Sequence, residues 1–257
     1  MPRRPDELDE VDWAAYEHAY GPADDLPGLL RDLASDDARV RGEAVDELFG
    51  TVWHQHSVYG ATVVAVPFLA HFARTAPGHR SVLLGLLSQI AQGNGRSAPA
   101  ARRAVLEELP ALLALAHDPG PDPAAVRSLL RLIAAFGDLA LPAMPLLRGL
   151  HESAPDPAVR ADALTAMGYV DDAAPAQRAR CRAGLRDLAP ELRLAAAHSL
   201  LRTGQPPYAP WLVEAAAEVV AVQTEGFEGP LWPGRTIRLE DRVRQLLDGS
   251  HEERRSL

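Results

Sequence analysis

Trp53, His54, Gln55, His56 and Tyr59 put the chain's densest group of chemically capable side chains into one short stretch. Imidazoles can move protons or ligate metals, and the indole and phenol offer rigid contact area with a hydrogen-bonding tip. Aromatic, His and Gln side chains together suit the centre of a protein interface, so all five are candidate partner-binding residues. A packing role is the alternative: Trp53 and Tyr59 would cover a gap between elements while His54 and Gln55 cap backbone ends. Metal binding by His54 and His56 is disfavoured, because residues two apart on a helix point away from each other and no Cys or carboxylate is close by. No metal and no cofactor is therefore expected.

Other chemistry is restricted by what is missing. All 26 basic residues are arginine and none is lysine, which removes Schiff-base chemistry and the lysines of P-loops and kinases. Cys181 is the single cysteine, too few for an internal disulfide or a cysteine-rich zinc site. No nucleophile, base and orienting group can be recognised from spacing, and the expectation is a non-catalytic protein.

The elements that must carry these residues announce themselves by repetition. Asp36-Asp37-Ala38-Arg39-Val40-Arg41, Asp122-Pro123-Ala124-Ala125-Val126-Arg127, Asp156-Pro157-Ala158-Val159-Arg160 and a weaker Asp187-Leu188-Ala189-Pro190-Glu191-Leu192-Arg193 share one pattern. Arg127, Arg160 and Arg193 are 33 residues apart, a period typical of stacked helical hairpins. Asp before Pro supplies a side-chain N-cap, and Pro in the first helical position loses no needed N–H. Gly50, Gly137, Gly168 and Gly204 fall where left-handed C-caps are wanted. Val159, Ala163, Leu164 and Met167 keep helical spacing, as do Leu192, Ala196, Ala197 and Leu200, and Val40, Ala44, Val45 and Leu48. Hairpins are expected at about 24–50, 62–93, 104–137, 139–169, 174–204 and 208–248.

Pro-x-Leu-Leu, a polar turn, Asp-Pro-x-Val-Arg-x-x-Ala and a closing Gly resemble HEAT repeats of the short bacterial, PBS-lyase HEAT-like form. The resemblance implies an all-α superhelix, a right-handed solenoid of about six hairpins, in one domain over 1–257. Residues 1–23 would form a capping helix through Val11, Trp13, Tyr16 and Tyr20, and 24–204 the repeats. An atypical last hairpin would fill 205–248 and a tail 249–257. The interval from Arg41 to its equivalent Arg80 is 39 residues, and the additional residues fall at 50–62. That insert is similar to a Trp/His-Gln-x-x-Val-Tyr-x-Ala-Thr element in bacterial HEAT-repeat domain-containing proteins, where Gly usually follows His-Gln and His56 stands here. The similarity brings no activity with it. His151-Glu152 and His251-Glu252 are too few for the four dyads that HEAT-type di-iron hydroxylases need.

The recurrent Arg41, Arg127, Arg160 and Arg193 are expected to form a structural ladder, bonding carboxylates or turn carbonyls of neighbouring repeats. The loop at 91–99 reads as a flexible connection. The Gly/Pro-rich 225–234 would either fold its Phe and Trp over the last hairpin or present a binding loop.

Charge narrows the partner. Residues 1–50 hold 14 acidic and 5 basic side chains, whereas the rest of the chain holds 21 of each. An acidic end on a neutral body fits a basic protein partner, which it could neutralise, or else a solvated polar cap. It opposes nucleic acid, which demands a basic groove, although a HEAT-like repair protein or a lyase-like subunit remain the alternatives. No stretch approaches the roughly 18–20 uninterrupted apolar residues of a membrane span, and a cytoplasmic location is expected.

Overall fold

A computed structural model describes residues 4–118, 120–171, 175–204, 207–221 and 239–247. The 225–234 segment, His251-Glu252 and the tail lie outside the described residues. The fold is all-α and HEAT-like, in two compact units, Met1–Ala135 and Phe136–Leu257. No described helix is long and apolar enough to cross a membrane.

The first unit holds three hairpins: α1 (Leu26–Asp32) with α2 (Ala38–Thr51), α3 (Gly60–Thr75) with α4 (Arg80–Ala91), and α5 (Ala98–Leu113) with α6 (Pro123–Ala134). First helices pack on first helices (α3 on α5) and second on second (α4 on α6). The second unit holds α7 (Met144–Ser153) with α8 (Pro157–Val170), α9 (Pro175–Gly184) with α10 (Pro190–Thr203), and α11 (Pro210–Ala221) with α12 (Leu239–Leu247). Here α10 packs against α8, α9, α11 and α12.

The repeat signature works as its chemistry requires. Asp37, Asp122 and Asp156 accept hydrogen bonds from the amides of Arg39, Ala124 and Ala158, satisfying donors that a helix start leaves open. In the weaker copy Asp187 serves two residues earlier, accepting from the amide of Ala189, the N-cap of α10. The residues at helical spacing in α2, α8 and α10 are buried, save the half-buried Val40. A fully buried leucine of this kind contributes about 1.5–3 kcal/mol.

The glycine expectation needs correction. Gly137 does adopt the left-handed conformation, at φ +59°. Gly50 and Gly168 lie inside helices, and Gly204 ends α10 in an extended conformation. Close approach is the reason for two of them: an added Cβ would lie 3.3 Å from Ser199 Oγ at Gly168, and 3.0 Å from the Leu200 carbonyl at Gly204. Gly184 is equally tight, 3.1 Å from Ala196 Cβ.

The N-terminal segment is not a capping helix. Pro5–Glu10 and Trp13–Ala15 form 3-10 turns, and Glu17–His18 (β1) pairs antiparallel with Gly21–Pro22 (β2). Val11 and Trp13 are two residues apart and could not share one helical face. Ala19 and Tyr20 turn the chain back, and Gly21, at φ +128°, opens β2. Leu8 and Trp13 are nonetheless buried, with the Trp13 ring 5.9 Å from Phe68 and its Nε1 donating to Leu8 O at 2.8 Å.

Arg80 shows how one guanidinium joins hairpins. Its Nε and Nη2 donate to the Ala73 and Arg74 carbonyls at the end of α3, at 3.1 and 3.0 Å. Its Nη1 reaches Asp118, in the loop of the next hairpin, at 3.0 Å.

Glu108 on α5 is a costly feature. The residue is only 3% exposed, and its Oε2 has no hydrogen-bond partner. Burial pushes its pKa above the usual carboxylate value. In the unfolded chain the carboxyl ionises at lower pH than in the fold, so this group lowers stability as pH rises through that interval. Glu108→Gln should therefore stabilise by about 1 kcal/mol at pH 7 and by little at pH 4. Urea unfolding of both proteins at the two pH values checks this; an equal effect at both would contradict it.

Candidate functional site

The insert at 50–62 forms a second tight hairpin. Trp53–His54 (β3) pairs with Ser57–Val58 (β4), placing Trp53 opposite Val58 and His54 opposite Ser57. Gln55 and His56 form the two-residue turn with φ of +49° and +69°. Right-handed strand twist favours such turns in hairpins, but they are built from Asn or Gly because a side chain costs about 1 kcal/mol there. His56 thus occupies the place where the resembling element has Gly. His54 and His56 do not lie on a helix; each ring stacks on a different aromatic.

The strained turn is held from outside. Asn94 N donates to the His56 carbonyl at 2.7 Å, Val58 N donates to the Asn94 carbonyl at 3.0 Å, and the Ser57 hydroxyl donates to Asn94 Oδ1 at 3.1 Å. The loop expected to be a flexible connection is therefore pinned along the hairpin by a parallel bridge between Ser57 and Asn94. Gly93 permits the contact: a Cβ there would lie 2.5 Å from Val58 Cγ1. At the other end Thr62, wholly buried, accepts from Tyr59 N and donates to the Val52 carbonyl, at 2.8 and 2.6 Å. Tyr59 itself is the half-buried N-cap residue of α3.

Two rings from the β1–β2 hairpin join this insert. Tyr20, 66% exposed, meets His54 edge to face at 5.5 Å, its hydroxyl 3.4 Å from His54 Nδ1. Tyr16 rests against Gly60 at the start of α3. Tyr20 is anchored by its neighbours: Ala19 N donates to the Thr51 carbonyl, and Tyr20 N donates to His18 Nδ1. Because Nδ1 of buried His18 accepts, its Nε2 carries the proton donated to Asp25 at 2.9 Å. Trp53 packs edge to face with His56 at 5.3 Å; it is half-buried, and its buried Nε1 has no hydrogen-bond partner. Gln55 and His56 are exposed.

The sequence pattern groups the five insert residues but does not place Tyr16 and Tyr20 beside them. Both fall in the segment expected to be a capping helix, where the structure has a 3-10 turn and a β-hairpin. Among the described residues no three His, Cys, Asp or Glu side chains come together as metal ligands. Cys181 is buried, and burial pushes its thiol up to about 11, leaving it protonated and unreactive at neutral pH.

The recurrent arginines are all half-buried. Arg41 donates to the Ser35 carbonyl at 2.6 Å, in the turn of its own hairpin and not of a neighbour. The Arg160 carbonyl accepts from His151 Nδ1 at 3.2 Å, while the Nε atoms of Arg160 and Arg193 are buried without a hydrogen-bond partner. Arg202 lies over the Tyr169 ring at 4.0 Å and donates to the Gly168 carbonyl.

Residues 143–223 match the family model of HEAT repeats, a span running from the start of α7 into the segment after α11. This supports a HEAT-repeat family, whose members are in general protein-interaction scaffolds and typically non-catalytic. No curated protein and no solved structure matches the chain.

Replacing His56 by Gly should remove the left-handed strain and raise stability by roughly 0.5–1 kcal/mol, less than the full strain because Gly also loosens the unfolded chain. Gly93→Ala should cost about 1–3 kcal/mol, since Val58 must shift to admit the methyl group. Urea midpoints of the two variants measure both; a destabilised His56→Gly would mean the ring contact with Trp53 outweighs the strain.

Proposed function

We propose that the protein is a non-catalytic binding module of the cytoplasm that docks a basic partner protein on its first unit. The docking surface is the paired hairpins, Tyr20, Trp53, His54, Gln55 and His56, with Tyr59 and Tyr16 at the start of α3. The observation that carries this reading is the strained Gln55-His56 turn. Backbone strain in non-glycine residues survives only where the surroundings enforce it, and it gathers at working sites. Here the enforced result is exposed aromatic and imidazole edges beside an acidic segment, the composition of an interface centre with electrostatic steering.

The recurrent arginines belong, in this reading, to the scaffold. Arg41, for one, donates to the turn of its own hairpin, and all four are half-buried, where a phosphate backbone could not run along them. The surplus of carboxylates in residues 1–50 also repels nucleic acid.

The test compares wild type with Tyr20→Ala/His54→Ala in affinity capture from native lysate, with circular dichroism to confirm equal helicity. Truncating two interface aromatics should weaken capture of one specific basic protein more than ten-fold. Equal recovery of every band by the helical variant would reject the surface.

A further inference from the structure

Residues 10–16 and the first turns of α3 enclose an open groove of about 350 Å³. Its floor is Val63, Val64 and Pro67, which share one face of α3 and stay half-buried while Ala61, Thr62, Ala65, Val66 and Phe68 are buried. Its walls are Glu10, Val11, Asp12, Ala15 and Tyr16. Both charged side chains that line it are carboxylates, and both are exposed. Asp9 and Asp25 nearby have partners in Arg31 and His18, but Glu10 and Asp12 form no ion pair among the described residues.

We propose that this groove binds an extended cationic segment of the partner protein. An aliphatic side chain rests on Val63, Val64 and Pro67, and an arginine or lysine two residues along, on the same side of the extended strand, meets Glu10 and Asp12. One turn further along α3, burial and the charges of Arg74 and Arg4 lower the pKa of His71, so at neutral pH it adds no opposing charge. The inference rests on the reading of the protein as a module for a basic partner and names what that partner presents.

The probe is a short fluorescein-labelled peptide carrying alternate Leu and Arg at every second position with serines between, titrated by anisotropy beside a twin with citrulline for arginine. Wild type should bind the arginine peptide roughly ten-fold or more tightly than the twin, and Glu10→Gln/Asp12→Asn should lose a similar factor. Asp46→Asn/Glu47→Gln, the same charge change on exposed residues of α2, should bind as wild type does. No binding, equal binding of the twin, or equal losses in the two charge variants would overturn the groove. Capture from lysate separates the two readings. A partner lost with Tyr20→Ala/His54→Ala but kept with Glu10→Gln/Asp12→Asn rejects the groove and keeps the hairpin surface. A partner lost only with Glu10→Gln/Asp12→Asn rejects the hairpin surface and keeps the groove.

Discussion

Asn94 sets the geometry of the first unit's exposed surface. Its amide and carbonyl bracket the β3–β4 turn, donating to His56 and accepting from Val58, while its side chain accepts from Ser57. An isolated two-residue hairpin is marginal in water, and one with Gln-His at its turn is less stable still. The clamp and the burial of Val58 beside Gly93 supply what the turn lacks. Once the turn is fixed, the orientations of His54 and His56 follow, and with them the edges offered to Tyr20 and Trp53. A chain of local constraints, each modest, therefore fixes a surface that no single element could hold.

The hairpins beneath obey a simpler requirement. A helix pair cannot bury its apolar stripe alone, so within each unit one pair leans on the next, and the ends of helices meet at the joints. Those ends carry open donors and acceptors. Asp37, Asp122 and Asp156 close the donors of second helices, and Arg80 closes acceptors of the preceding helix while reaching to the next loop through Asp118. The repeat signature is thus a record of end-chemistry: acid at the start of one helix, guanidinium at the finish of its predecessor.

That record explains what could be read in advance. Helix pairs were legible because the 33-residue recurrence and the i, i+4 spacing are properties of single residues in order, independent of neighbours far away in sequence. The insert was legible as an interruption of that order. Its shape was not, because the left-handed φ of Gln55 and His56 is imposed by Asn94, some forty residues on. Tyr20 was misplaced for the same reason: what holds it is the bond from Ala19 to Thr51, a contact between segments with no common periodicity. Gly168 and Gly204 were read as turn-formers by their place near helix ends, when space beside Ser199, Leu200 and Tyr208 is what excludes a side chain.

Placement of charge gives the surface its direction. Arg31 and His18 engage two of the carboxylates before residue 50, Asp9 and Asp25, and Asp37 serves as a cap. Those acids are occupied with holding the fold. Glu10 and Asp12 form no ion pair among the described residues, and they stand, exposed, beside apolar side chains. A carboxylate beside an apolar floor exerts a stronger field than one fully surrounded by water, because the floor screens less. The same net charge spread evenly would favour solubility and little else. Two of the carboxylates instead stand at a groove with an aliphatic floor, and that pairing favours one kind of visitor: a cation attached to something greasy.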